Sequence, residues 1–134
     1  MPVAVLDSFA LLAYFRREPG FEKVRELLGL AAESKVELAM TEVNYAEVKY
    51  IVLRKHGPSD WRTVKRLLDV LPITFLAVDR GLADLTAEFK SRYSLSLADA
   101  CAAALAQQLK AELYTDDDEF DALVPEIRLC RLCP

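Results

Sequence analysis

The chain has 134 residues, 53% of them hydrophobic, which suits one domain with a sizeable core. No window of about 18 apolar residues occurs, and no basic segment precedes the first apolar run, which ends at Asp7. We therefore expect no membrane span, no signal peptide and a cytoplasmic location. The net charge of −4 excludes a global attraction to nucleic acid, so a nucleic-acid partner would need local basic patches or bridging cations.

Strand-like and helix-like segments alternate along the chain. Short runs of branched apolar residues predict strands, and apolar residues at helical spacing predict helices. In chain order, the pattern predicts strand 2–6, helices 8–18 and 21–34, strand 36–40, helices 42–56 and 59–70, strand 73–78, helices 79–92 and 97–110, and strands 112–115 and 127–132.

This alternation is typical of an α/β domain. Hairpin signals such as Asn-Gly are missing from the sequence, so the strands are expected to pair mostly in parallel, with helices on both faces of the sheet. We predict a single domain over residues 1–134, with a sheet of four or five strands.

Acidic residues fall where strands of this sheet are predicted to end. Asp7 follows the first strand, and the run 116–119 follows the strand 112–115. Asp99 opens the helix 97–110, and Glu47 lies in the helix after the second strand. Open parallel sheets bind ligands beyond the carboxyl ends of their strands. These acids also fit a simpler interpretation, in which Asp7 and Asp99 cap helices and the run 116–119 is a solvated turn or a short helix start.

Two of the acids are difficult to explain as solvated residues. The helical neighbours of Glu47 are Val43, Tyr50 and Ile51, and Asp99 precedes the apolar stretch "ACAAALA". A buried carboxylate is unfavourable unless it is paired or bound to a metal. Converging carboxylates repel one another, and a divalent cation removes that repulsion. Oxygen ligands without histidine or cysteine select Mg²⁺ or Mn²⁺.

The predicted site favours chemistry on phosphates. The sequence contains no nucleophile elbow, no P-loop and no dinucleotide-binding glycine motif. Acidic magnesium sites bind phosphoryl oxygens and lower the pKa of a bound water. A polyanionic substrate can therefore bind an acidic protein through the metal.

Four stretches of the chain resemble the motifs of one enzyme family. In order, they are "VLDSFALLAYF", "TEVNYAEVKYIVLR", "SLADACAAALA" and "LYTDDDEF". They are similar to the four acidic motifs of PIN-domain ribonucleases, particularly VapC-type toxins of toxin–antitoxin pairs. The resemblance covers nearly the whole chain and implies a PIN-like three-layer sandwich.

The resemblance implies a set of site residues. Matched by position, the catalytic and metal-binding acids are Asp7, Glu47, Asp99 and Asp117, the last within the pattern T-x-D-x-x-F. Supporting roles are expected for Ser8, Thr115, Asp116 and Asp118, and Asp116 or Asp118 is a candidate to hold a metal-bound water. The chain departs from the family at Phe9, where many members carry a small polar residue.

The resemblance also implies an activity and its partners. We expect an Mg²⁺- or Mn²⁺-dependent endoribonuclease in which a metal-activated water attacks an RNA phosphate. A homodimer and a small inhibitory antitoxin that covers the acidic cleft are expected too. Basic residues in "YFRRE", "VLRKHG" and "WRTVKR" are candidates to guide RNA, although solvated helix faces explain them equally simply.

Two other functions remain open from the residues. A receiver-type phosphoacceptor module also gathers aspartates around Mg²⁺, but it usually needs a lysine after a late strand, and the predicted strand ends offer Arg80 and Arg131 instead. A catalytically silent domain that binds a partner or dimerises would use the acids as caps and turns.

Overall fold

The computed structural model describes residues 1–133, so the last residue of the predicted 1–134 domain lies outside the described part. The strands are β1 Val3–Leu6, β2 Glu37–Thr41, β3 Ile73–Leu76, β4 Glu112–Tyr114 and β5 Arg128–Cys130. The helices are α1 Ser8–Arg16, α2 Phe21–Ala32, α3 Glu42–His56, α4 Pro58–Leu68, α5 Arg80–Arg92 and α6 Leu97–Leu109, with a 3₁₀ helix at Asp118–Leu123.

The five strands form one parallel sheet in the order β3-β2-β1-β4-β5. This confirms the predicted α/β class and the upper of the two expected strand numbers. The order differs from the 2-1-3-4-5 order of flavodoxin-like folds, to which response regulators belong. The topology therefore argues against the receiver-type alternative.

Helices cover both faces of the sheet, as predicted. Alternation along β1 sends Ala4 and Leu6 into the core shared with α1 to α4, and Val5 into the core shared with α5 and α6. Both cores are continuous clusters of buried apolar side chains. The central strands are therefore buried on both sides, which explains why their sequences are apolar without alternation.

Four strands are shorter than the sequence predicts, β1 and β4 by one residue each and β3 and β5 by more. β3 ends at Leu76 rather than at residue 78, because Asp79 accepts the N–H of Leu82 at 2.9 Å and so begins α5. β5 ends at Cys130 rather than at residue 132, because the N–H of Leu132 bonds to the Asp116 side chain at 2.8 Å instead of extending the ladder.

Within residues 1–133, none of the helices has the length and apolar character that crossing a bilayer requires.

Candidate active site

The predicted site residues lie at one edge of the sheet. The chain passes from β1 to β2 and β3 on one side, then crosses to β4 and β5 on the other, so the topological switch point lies between β1 and β4. Leu6 pairs with Tyr114 in the parallel register. Asp7 and Thr115, each one residue further along, therefore leave the sheet side by side.

Asp7 is completely buried, and each of its carboxylate oxygens accepts one hydrogen bond. Oδ1 accepts the N–H of Ala10 at 2.7 Å, which caps α1, and Oδ2 accepts the hydroxyl of Thr115 at 2.5 Å. The capping interpretation of Asp7 is therefore correct for one oxygen only. The second oxygen faces the switch point.

The pKa of Asp7 is raised to about 7, and burial is the largest cause. The charges of Asp99 and Asp117 also raise this pKa, and the hydrogen bonds from Thr115 and Ala10 lower it. An aspartate in water has a pKa near 3.8. Asp7 therefore resists ionisation unless positive charge is supplied nearby.

Asp99 lies in the first turn of α6 and is only 4% exposed. Ser96 caps this helix by accepting the N–H of Asp99 at 3.1 Å, as the S-x-x-D pattern predicts. Burial raises the pKa of Asp99 to about 6, and the charges of Asp117, Glu47 and Glu119 contribute in the same direction. Asp99 therefore lies within electrostatic reach of three other acids.

Glu47 lies at the rim of the site rather than inside the core. The residue is half-buried, and its helical neighbour Tyr50 is 47% exposed, so the expectation of a fully apolar environment was too strong. One oxygen is nevertheless enclosed. Oε1 is buried and has no hydrogen-bond partner among residues 1–133, which is unfavourable unless a cation or a solvent molecule binds there.

Asp117, Glu119 and Asp99 form the tightest acidic group of the described residues. One carboxylate oxygen from each lies within 4.8 Å of the other two. Asp117 also caps the 3₁₀ helix by accepting the N–H of Glu119 at 2.9 Å. The sequence reasoning missed Glu119 as a site candidate, because the side-chain direction two residues after Asp117 depends on this 3₁₀ turn.

Three of the four supporting candidates lie in the segment after β4, and their side chains make different contacts. Thr115 is buried and joins two acids, since its hydroxyl donates to Asp7 and accepts the N–H of Asp117 at 3.0 Å. Asp116 instead accepts the N–H groups of Leu132 and Cys133 at 2.8 and 3.1 Å. Asp118 is exposed, and its carboxylate pairs with the guanidinium of Arg131 at 3.0 Å.

Ser8 and Asn44 form a buried polar link behind the acids. The amide of Asn44 donates to the hydroxyl of Ser8 at 2.9 Å and to the carbonyl of Ala98 at 3.2 Å. Its backbone N–H bonds to the hydroxyl of Thr41 at 3.0 Å. Asn44 therefore connects the starts of α1, α3 and α6. The sequence reasoning passed over it because its role depends on contacts far along the chain.

Comparison with known proteins identifies the family. A model described as PIN domain matches residues 4–124. The chain belongs to the PIN domain family. This PIN domain is 31% identical over 124 residues to Ribonuclease VapC42 of Mycobacterium tuberculosis and equally to a VapC ribonuclease of Mycobacterium bovis, with 87% of this chain and 92% of each relative covered.

Solved structures share the fold at lower identity. VapBC from Salmonella typhimurium bound to DNA superposes with a TM-score of 0.77 and 16% identity, covering 99% of this PIN domain and all of that chain. VapBC2 from Rickettsia felis with a promoter DNA fragment gives a TM-score of 0.76 at 16% identity, covering 96% and 98%. Both therefore support the PIN-like three-layer architecture.

The basic residues of this PIN domain do not neutralise the acids. Within residues 1–133 the Arg16 guanidinium makes one ion pair, at 3.5 Å to Glu18, and Arg54 lies over the ring of Tyr50 at 5.4 Å. No ion pair among the described residues involves Asp7, Glu47 or Asp99. The negative charge of the site is therefore uncompensated within the described part of the protein.

Proposed function

We propose that this PIN domain, over residues 1–134, is a divalent-metal-dependent endoribonuclease and the toxin of a toxin–antitoxin pair. One observation carries the proposal. Two acids buried in the protein, Asp7 and Asp99, lie with Asp117 at the switch point of a parallel sheet, with no basic partner in the described chain. The PIN relatives that cover most of this chain carry the name ribonuclease.

The donor set fits a divalent cation. All available ligands are carboxylate oxygens, and Glu47 Oε1 is a buried acceptor that lacks a hydrogen bond within residues 1–133. Hard oxygen ligands of this kind suit Mg²⁺ or Mn²⁺. We propose that Asp7, Glu47, Asp99 and Asp117 hold the ion and that Glu119 contributes a further oxygen.

The surrounding residues prepare these carboxylates for binding. Thr115 and the N–H of Ala10 fix the orientation of Asp7, and Ser96 fixes the turn that carries Asp99. A bound ion would neutralise the carboxylates, lower the pKa of a water molecule and polarise the substrate phosphate. In this proposal Asp116 and Asp118 serve the chain fold instead, because their oxygens bond to Leu132, Cys133 and Arg131.

Partners follow from the same assignment. Structures that share this fold include VapBC complexes from Rickettsia felis, Salmonella typhimurium and nontypeable Haemophilus influenzae, the first two bound to DNA. We propose that a small antitoxin covers the acidic edge of this chain with a basic side chain, because the uncompensated carboxylates would attract one. We further propose a homodimer that acts on RNA in the cytoplasm.

Nuclease activity tests the proposal directly. Purified protein with Mn²⁺ is expected to cleave single-stranded or structured RNA, and Asp7→Asn is expected to abolish cleavage. Asp79→Asn is the matched control, because Asp79 also caps a helix but is exposed. Intact RNA across a broad panel of substrates would contradict the proposal.

Calorimetric titration separates a nuclease from a silent binding domain. We expect weak-to-moderate Mg²⁺ or Mn²⁺ binding that Asp7→Asn and Asp99→Asn each abolish. Unchanged binding in both variants would mean that these acids serve only as caps.

A further inference from the structure

A cavity of about 420 Å³ lies beside the acidic site and has no role in the proposed mechanism. Its wall includes Asp117, Phe9, Ala13, Arg16 and Leu132. The cavity therefore shares one proposed metal ligand with the site, and the rest of its wall is mostly apolar, with Glu18 and Asp116 as two further acids. Its volume lies within the range of small-molecule binding pockets.

Phe9 is the unusual residue of this wall. It stands two positions after Asp7, and its side chain is 50% exposed. Neither hydrophobic core formed by residues 1–133 includes Phe9, so packing within the described chain does not require its ring. An exposed aromatic ring next to a phosphate-directed site offers a flat apolar face against which a nucleobase stacks.

Arg16 supplies a cation on the same wall. Its Nη2 atom is buried and has no hydrogen-bond partner in the described part of the chain, while Nη1 lies 3.5 Å from Glu18. A guanidinium carries five donors in a planar fork that matches phosphate oxygens. An enclosed donor without a partner is unfavourable, and a phosphate oxygen would satisfy it.

Arg16 also lines a second cavity, of about 300 Å³. That second cavity lies between α1, α3 and α4, and Arg16, His56 and Thr63 are among its lining residues. Arg16 and His56 come from two of the basic stretches that are candidates to guide RNA, and the acid Asp60 lies on the same wall. Arg16 therefore lines both cavities, and Asp117 belongs to the wall of the first one only.

We propose that the cavity of Phe9 and Arg16 binds the nucleotide of single-stranded RNA that flanks the cleaved phosphate. The base stacks on the ring of Phe9, and Arg16, which lines the same cavity, binds the adjacent phosphate. This inference rests on the proposed function, since it assumes that the acids act on RNA. Because Phe9 occupies a position where many family members carry a small polar residue, the stacking would be a property of this chain.

RNA binding without cleavage tests the role of Phe9. With the site acids intact and Ca²⁺ in place of Mn²⁺ to suppress cleavage, fluorescence anisotropy with labelled single-stranded RNA is expected to show about tenfold weaker binding in Phe9→Ala than in the wild-type protein. Phe9→Tyr should retain binding because it keeps the ring, and Phe9→Leu should not, although it keeps apolar volume. Leu67→Ala is the control, because Leu67 is 48% exposed and lies outside both cavities.

The salt dependence of binding tests the role of Arg16. Arg16→Gln is expected to lower the slope of log affinity against log salt concentration by about 0.7, the value for one phosphate contact on a single strand. Arg92→Gln should leave the slope unchanged, because Arg92 lies in the last turn of α5, lines neither cavity and pairs with Glu126 at 2.9 Å.

Three results would overturn the inference without touching the proposed function. They are full RNA affinity in Phe9→Ala, equal loss in Phe9→Ala and Phe9→Tyr, and an effect of Phe9→Ala confined to binding of a co-expressed antitoxin. The last result would make the cavity a protein-docking site. Failure of the wild-type protein to cleave any RNA would instead contradict the proposed function itself.

Discussion

Asp7 shows how one side chain serves two purposes. Its first oxygen caps α1 through Ala10, and its second lies against Thr115 at the edge of β4. Burial is the largest cause of its raised pKa, ahead of the nearby acids. Helix capping therefore positions the carboxylate, and burial makes its charge dependent on a cation.

The raised pKa predicts that stability depends on pH. The pKa of Asp7 is about 7 in the folded protein against 3.8 as its ordinary value, so between these values the folded state binds more protons than the unfolded state. The free energy of unfolding of metal-free protein should therefore fall from pH 5 to pH 7.5, by roughly 2 kcal/mol for Asp7 alone. Urea denaturation with a chelator present measures this change.

Asp7→Asn should remove most of that dependence, because the amide does not titrate. Asp79→Asn is the control, since it alters the cap of another helix at an exposed position. An unchanged pH profile in Asp7→Asn would mean that Asp7 is ionised in the folded protein without a cation.

Glu119 and Asp118 form a matched pair for testing the ligand set. Glu119 lies within 4.8 Å of Asp99 and Asp117 through one oxygen of each, whereas Asp118 pairs with Arg131. Glu119→Gln is expected to weaken Mn²⁺ binding at least tenfold, roughly the effect of losing even an outer-shell partner. Calorimetry should show no comparable loss for Asp118→Asn, and equal losses in the two variants would remove Glu119 from the proposed ligands.

Among the helices, the site depends on how three of them begin. α1, α3 and α6 start at the same edge of the sheet, and Asn44 joins them through Ser8 and the carbonyl of Ala98. Asn44 is fully buried, so each of these bonds lies in an environment that water does not reach. The relative positions of Asp7, Glu47 and Asp99 therefore depend on one amide.

Removing this amide should destabilise the protein more than removing an ordinary buried hydroxyl. Asn44→Ala is expected to lower the free energy of unfolding by about 2–3 kcal/mol, because buried groups on three helices lose a partner. Thr86→Val is the control and should cost about 1 kcal/mol, since the Thr86 hydroxyl makes one bond within its own helix, to Leu82. Equal losses would mean that the Asn44 network adds no stability.

Asp116 links the segment after β5 to the loop after β4. Asp116→Ala is expected to speed amide hydrogen exchange at Leu132 and Cys133, whose N–H groups it accepts. RNA cleavage should persist in this variant, because the proposed ligands are elsewhere. Loss of cleavage with unchanged exchange would instead return Asp116 to the supporting role expected from the sequence.

Across the fold, the crossover of the chain explains why the acids meet. β1 lies at the centre of the sheet, and the connections to its neighbours β2 and β4 leave a crevice at their carboxyl ends. Asp7 leaves the sheet at this crevice, and Asp99 and Asp117, from distant segments of the chain, lie near enough for their charges to raise its pKa. Holding these carboxylates close together costs electrostatic free energy in the metal-free protein. A bound cation would offset that cost.

Cation binding should stabilise the entire protein, more strongly at higher pH. At a free Mn²⁺ concentration of about 100 times Kd, the gain is about 2.7 kcal/mol, or roughly 10 °C in Tm for a chain of this length. The gain should be larger at pH 8 than at pH 6, because Asp7 and Asp99, with pKa values of about 7 and 6, release protons on binding. Calorimetric scans measure the shift, and an equal shift at both pH values would contradict the proton release.

Local signals were sufficient for most of the architecture. Apolar runs, helical spacing and caps such as Thr41 and Ser96 act over a few residues. The strands and helices were therefore predicted close to their observed bounds, and the parallel sheet was predicted from their alternation. The ends of β3 and β5 were wrong by two residues because Asp79 and Asp116 capture N–H groups through side-chain contacts. Such contacts are not visible in hydrophobic periodicity.

The order of the four acidic motifs likewise predicted a site of Asp7, Glu47, Asp99 and Asp117. This prediction came from the resemblance to a family whose motifs carry these acids. Long-range geometry decided the remaining features. The direction of Glu119, the linking role of Asn44 and the cavity of Phe9 and Arg16 arise where segments distant in sequence pack against each other. Side-chain direction and burial follow from this packing, and neither is determined by residue type or spacing alone.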